Sequence, residues 1–210
     1  MERSLVLIKP DGVARREAGV RVLKALRALP DAHLLAFRET MVPESLARLH
    51  YAEHEGKPFY PGLLAMITSR PGVIVLVLEG AGMIQKVRKA LGPTMIEKAR
   101  ATEPSCLRAQ YGVMAGINVT HASDAPATGM RETNLWSAAL GLEYNEAAAD
   151  KAFNDYIAKY EGKHPFLGED VQKLAVELKA AADALKAALE KEAADPADAA
   201  AIFRLCASNL

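Results

Sequence analysis

Two stretches of this chain are apolar at every position, Leu5-Val6-Leu7-Ile8 and Val73-Ile74-Val75-Leu76-Val77-Leu78. Successive side chains of a strand point to opposite faces of its sheet, so such a run reads as a strand buried on both faces or nearly so. Both are far too short to span a bilayer as helices. The segments around them follow a different period. Val20, Leu23, Leu26 and Leu29 recur at helical spacing, and Pro30-Asp31 ends that helix. Ile84, Val87 and Leu91 share one face of a later helix. Ala32 to Val42 reads as a strand, Pro43 to His54 as a short helix opened by proline, and residues 56–61 as a loop. Residues 93–104 are polar without a clear period, and Tyr111 to Ile117 reads as a fourth strand. The order β-α-β-(α)-β-α-β is the split arrangement of ferredoxin-like folds, βαββαβ. It predicts a four-stranded, mainly antiparallel sheet with helices on one face, an α+β member of the broad α/β class.

Residues 143–210 differ from the rest. Alanine supplies 19 of these 68 positions, and 13 acidic against 8 basic side chains give a net charge of −5. The whole chain is neutral, with 26 basic and 26 acidic residues, so residues 1–142 carry +5. A mildly basic body suits a small anionic substrate and is too weak to make nucleic acid the main partner. Lys163-His164-Pro165 and Gly168 separate two helical stretches. In the second, Val171, Leu174, Leu178, Ala181, Leu185 and Ala188 alternate spacings of three and four. That apolar stripe belongs to a coiled-coil seam or to a helix lying on a neighbour. We therefore expect a body over 1–142 and an Ala-rich helical extension over 143–210. The two cysteines, Cys106 and Cys206, have no metal-ligand spacing. The opening apolar run is broken by Lys9 and Pro10, too early for a signal peptide. These features point to a cytoplasmic protein without a membrane anchor.

Neither the GxxxxGK[ST] loop nor GxGxxG occurs. Any phosphates must be held by side chains, and candidates are spread along the body: Lys9, Arg88, Thr94 and Arg108. The reactive candidate is His121, in the run Asn118-Val119-Thr120-His121-Ala122-Ser123-Asp124, ahead of a helical segment carrying Glu132. An imidazole is neutral and nucleophilic near pH 7, so it can accept a phosphoryl group covalently and pass it on. A lone histidine is more often a plain surface or core residue, and a lone basic residue at a helix end is ordinary. Their company reverses that reading.

The run Glu2 to Val13, containing Lys9-Pro10-Asp11-Gly12-Val13, resembles the opening of nucleoside diphosphate kinases. So do His50-Tyr51, Lys57 to Leu63, Glu79-Gly80, Arg88, Leu91-Gly92-Pro93-Thr94, Arg108, Gly116 to Asp124, Glu132 and Leu135-Trp136, in unbroken order. The resemblance implies transfer of the terminal phosphoryl of a nucleoside triphosphate to a diphosphate, in two half-reactions, with Mg²⁺ held mainly by the nucleotide phosphates. His121 would be the nucleophile through Nδ1, oriented by Ser123 and Glu132. Lys9, Tyr51, Arg88, Thr94, Arg108 and Asn118 would contact phosphates and sugar hydroxyls. Phe59 would stack on the base with Leu63 beside it. A homo-oligomer, hexamer or tetramer, is the family's habit. The resemblance says nothing of residues 143–210. It favours an active enzyme over a scaffold built on a retired kinase fold, because no carried-over position is substituted.

Overall fold

In the computed structural model, which describes residues 1–208, one antiparallel sheet contains β1 (Glu2–Ile8), β2 (His33–Thr40), β3 (Val73–Gly80) and β4 (Thr120–Ala122). The spatial order is β2-β3-β1-β4, and every neighbouring pair is antiparallel. The ferredoxin-like order read from the sequence is present. The helices, however, cover both faces. Val6, Ile8, Leu34, Leu76 and Leu78 face α2 (Arg16–Arg27), α5 (Met83–Leu91) and α9 (Glu146–Tyr160). Leu5, Leu7, Val73, Val75 and Val77 face α3 (Glu44–His50), α4 (Tyr60–Thr68) and α8 (Pro126–Leu140), with fully buried Trp136 at the centre of that layer. The physical reason lies in the two all-apolar runs themselves. β1 and β3 are central strands with apolar side chains on both sides, so a single helical layer would leave half of each run wet.

The fourth strand is shifted from the apolar run Tyr111–Ile117. That run begins as the end of α7 (Leu107–Tyr111) and continues as a loop containing an isolated bridge between Met114 and Ile117. Gly112 and Gly116 interrupt it, and Ala115 takes a positive φ of 45°, all of which break extended pairing. Its apolar side chains are only half-buried. The three residues that do pair, Thr120–Ala122, lie opposite Val6–Ile8. His121 is therefore inside the strand, directly across from Leu7. The region without clear period holds α6 (Ile96–Thr102), and α1 (Pro10–Ala14) follows β1. The expected helix over 43–54 is α3 followed by one 3₁₀ turn, Ala52–His54.

The first compact unit runs from Met1 to Phe166, past the compositional break at 142/143. Phe153 and Tyr156 of α9 pack on Phe37 of β2, each pair of rings 5.8 Å apart, and Asn145 caps α9 by accepting the Ala148 N–H. The second unit begins at Leu167 and holds α10 (Gly168–Glu192) and α11 (Pro196–Ser208). On α10 the predicted stripe stays largely in solvent: Leu174 is 61%, Leu178 51% and Leu185 40% exposed. No helix among the described residues is long and apolar enough to cross a membrane.

Candidate active site

The junction between β1 and α1 places the first cation. Lys9 precedes α1, and its backbone N–H donates to the Val119 carbonyl (2.8 Å). Its ammonium donates to Asn118 Oδ1 (2.7 Å) and to the Gly116 carbonyl (3.3 Å). Asn118 Nδ2 donates in turn to the Thr94 carbonyl (2.8 Å), joining three segments distant in sequence. The joint is held under strain. Val119, buried and β-branched, sits at φ 63°, a conformation L-residues with branched side chains avoid. Its N–H is secured by the Asp11 carboxylate at 3.0 Å. Burial pulls the Lys9 pKa down to about 8, with Asp11 opposing and Arg108 reinforcing the shift.

Arg108 comes inward because α7, beginning after Cys106, buries Leu107 and Ala109 alongside it. Its Nη1 donates to the Gly92 carbonyl (2.8 Å) and its Nη2 to the Thr120 carbonyl (3.2 Å). Of the five N–H groups of a guanidinium, three remain unspent, and Nε has no partner among the described residues. Burial, then the charge of Arg88, lowers its pKa to about 10, still a cation at neutral pH.

His121 is held from behind. α8 lies directly on β1: a Cβ at Gly129 would stand 2.2 Å from the Arg3 carbonyl oxygen. One turn later the same helix delivers Glu132, 3% exposed. His121 Nε2 lies 3.2 Å from both carboxylate oxygens. Ser123 Oγ donates to Glu132 Oε2 (2.6 Å) while accepting the Leu5 N–H (3.0 Å). Burial pushes the Glu132 carboxyl upward, but the hydrogen bonds and charge of His121 and the Ser123 hydroxyl prevail, leaving it below the ordinary carboxylate range. An ionised carboxylate only accepts, so His121 carries its proton on Nε2 and its lone pair on Nδ1.

One cavity of about 670 Å³ is lined by Lys9, Tyr51, Phe59, Leu63, Arg88, Thr94, Arg108, Asn118, His121 and Glu132. Every residue singled out from the sequence is thus on its wall except Ser123, which sits one bond behind. Its size suits a nucleotide-sized ligand. Phe59 on this wall is 54% exposed, with the Lys57 ammonium over its ring at 5.8 Å from the centroid. Burial, then Glu132, raises the Tyr51 phenol to about 12, so it remains an O–H donor. Sequence reasoning gave no role to His50. This ring is buried, 4.6 Å from the His121 ring at 80°, and its Nδ1 accepts the Trp136 indole N–H at 3.2 Å. The only sequence signal was its place beside Tyr51. Glu53, His54 and Asp124 also line the wall.

Residues 2–140 match the family model described as nucleoside diphosphate kinase. Among relatives of that name, the protein of Synechococcus sp. (strain JA-3-3Ab) is 40% identical over 136 residues, 65% of this chain and 87% of the relative. That of Mycolicibacterium vanbaalenii is 43% identical over 136 residues, 64% and 96% of the two chains. The solved halophilic nucleoside diphosphate kinase from Halobacterium salinarum, in complex with CDP, is 34% identical and superposes with a TM-score of 0.61 over 72% of this chain and 97% of its own. The Aquifex aeolicus nucleoside diphosphate kinase gives 0.60 at 32% identity, over 64% of this chain and 94% of its own. The fold, the order of the motifs and the convergence of their side chains on one cavity agree with this likeness, and the chain belongs to the nucleoside diphosphate kinase family.

Proposed function

We propose that the protein moves the terminal phosphoryl group of a nucleoside triphosphate to a nucleoside diphosphate by way of His121. The supporting observation is the relay Leu5 N–H to Ser123 to Glu132 to His121 Nε2, which leaves the Nδ1 lone pair for chemistry. In the first half-reaction an Nδ1–P bond forms as the bond from phosphorus to the bridging oxygen breaks. The electron pair leaves on the diphosphate, and the Nε2 proton stays against Glu132, which stabilises the resulting imidazolium. The second half-reaction is the reverse with another diphosphate. Lys9, Arg88 and Arg108 neutralise the phosphates, and Thr94, Asn118 and Tyr51 orient them and the sugar. Transfer of this kind depends on positioning and charge more than on covalent work by the protein. Mg²⁺ would be held mainly by the nucleotide phosphates, and the Asp124 and Glu53 carboxylates on the cavity wall are the oxygen donors that could join them. It would supply positive charge to neutralise the phosphates. Mixing ATP, Mg²⁺ and a second nucleoside diphosphate should produce the second triphosphate; its absence overturns the proposal.

The base meets an aromatic face. Stacking on Phe59 reads shape, so different bases should react at rates within a modest range. Phe59→Ala is expected to weaken all nucleoside diphosphates by about 1–3 kcal/mol. A kcat/KM loss confined to one base contradicts shape-only recognition.

Lys9 gives the pH dependence. A lysine is a cation below its pKa, so the free enzyme loses one phosphate clamp as pH rises through about 8. The profile of kcat/KM, which reports the free enzyme, should fall on that side. Lys9→Arg should carry the plateau to higher pH. An unchanged alkaline limb in that variant would assign the ionisation elsewhere.

We place the catalytic unit in residues 1–142 and treat 143–210 as a helical extension of a cytoplasmic homo-oligomer, hexamer or tetramer. A chain ending at Phe166 keeps α9 and loses the exposed stripe of α10. It should retain the chemical step and differ in assembly size by light scattering. Loss of transfer in a folded truncated sample would show that the extension serves the site.

A further inference from the structure

His50, His121 and Glu132 each offer one metal-ligating atom, and these atoms lie within 4.8 Å of one another. His121 Nε2 is 3.2 Å and His50 Nδ1 is 3.8 Å from Glu132 Oε1. A tetrahedral ion with bonds of about 2.0–2.1 Å needs ligand atoms roughly 3.4 Å apart. His50 is 2% exposed, and its other nitrogen, Nε2, has no partner among the described residues. Entry is from the cavity, where the His121 side chain is 21% exposed.

We propose that His50, His121 and Glu132 form an inhibitory site for a borderline divalent transition ion of the Zn²⁺ type. Two imidazoles and one carboxylate, with a fourth position open to the cavity, are a donor set that suits Zn²⁺. Mg²⁺ prefers oxygen and keeps its water, so the ion that accompanies nucleotides does not compete for this set. The ion takes the lone pair of His121 Nε2. The single proton of the neutral ring then resides on Nδ1. The ring gains and loses no proton, but its nucleophilic nitrogen has become an N–H and has no electron pair for phosphorus. Bound metal and phosphoryl transfer therefore exclude each other. The inhibition rests on the Nδ1 mechanism above; the binding does not. On the other side the ion takes the His50 Nδ1 lone pair, and the Trp136 indole N–H loses its acceptor.

Trp136 is the single tryptophan of the chain, so its fluorescence reports that loss. The full-length, unphosphorylated protein titrated with Zn²⁺ in excess Mg²⁺ should show a saturable change at one equivalent, with no change from Mg²⁺ alone. Co²⁺ in place of Zn²⁺ should give visible absorption of a nitrogen and oxygen site without thiolate charge transfer. His50→Phe keeps a ring against His121 but no ligand, and should weaken Co²⁺ binding at least tenfold and make transfer insensitive to Zn²⁺. If that variant fails to fold, Glu132→Gln should weaken binding in the same assay. Binding that is as tight in both variants, or that vanishes in Cys206→Ser, overturns the site. Wild-type turnover that continues with the ion bound overturns the inhibition. A wild-type protein inactive without Zn²⁺ would instead fail the phosphotransfer reading, while the fluorescence and absorption still report the site.

Discussion

His121→Ala is expected to lose phosphotransfer by a factor on the order of 10⁶, the scale seen when a covalent nucleophile is removed from an enzyme. The other two imidazoles on the wall are engaged: His50 is buried with its Nδ1 accepting the Trp136 indole N–H, and His54 Nδ1 lies 3.0 Å from the Lys57 ammonium. Lys9 is engaged by Asn118 and Gly116, and the Tyr51 phenol stays protonated. The fold should survive, because residue 121 keeps its backbone pairing with Leu7 and the Glu132 carboxylate keeps Ser123. A stability loss of about 1–3 kcal/mol is expected from the bond removed at a buried carboxylate. Circular dichroism and steady-state transfer on one sample check both halves. Substantial activity in a folded variant moves the nucleophile elsewhere.

Glu132→Gln should lower kcat by about 10²–10⁴-fold, the range for loss of a group that fixes a catalytic histidine's tautomer and stabilises its cation. The shape is unchanged, so packing against α8 and β1 is not the cause. Ser123 is fully buried and its O–H is satisfied only by the oxygen at the Oε2 position, while its own oxygen already accepts the Leu5 N–H. The amide oxygen therefore belongs at the Oε2 position. The amide NH₂ then stands at the Oε1 position, 3.2 Å from His121 Nε2. It competes for the Nε2 lone pair and favours the tautomer protonated on Nδ1. The imidazolium formed on transfer also loses its counter-charge. Nucleotide KM should move little, because the phosphate clamps are untouched. A variant with normal kcat and raised KM would make Glu132 a binding residue and not a positioning one.

The all-apolar runs of β1 and β3 made the sheet legible, since no other element buries such a run in so few residues. The same runs also imply the second helical layer, because apolar side chains on both faces need cover on both sides. β4 misled for a local reason. Apolarity in 111–117 was read without the weight of Gly112 and Gly116, and a three-residue strand leaves almost no periodic signal. α4 was hidden behind Tyr60-Pro61-Gly62, which also reads as a turn. The site was legible through its motifs, because Lys9-Pro10-Asp11-Gly12-Val13 and Asn118 to Asp124 each fix several chemically specific residue types at set offsets. His50 was not, because a histidine that is buried against another ring has the same sequence signature as one that is merely packed. The stripe of α10 was correct in spacing and gave no information about its cover.

The central claim is a covalent phosphoryl group on His121 Nδ1. Wild-type protein incubated with γ-labelled ATP and Mg²⁺, without a diphosphate acceptor, tests it most directly. The account predicts close to one label per chain, stable to base and labile to acid, released as triphosphate when a diphosphate is added, and identified as the Nδ1 phosphoramidate of His121. Transfer between nucleotides with no labelled protein intermediate, or a label on any other atom, would contradict it.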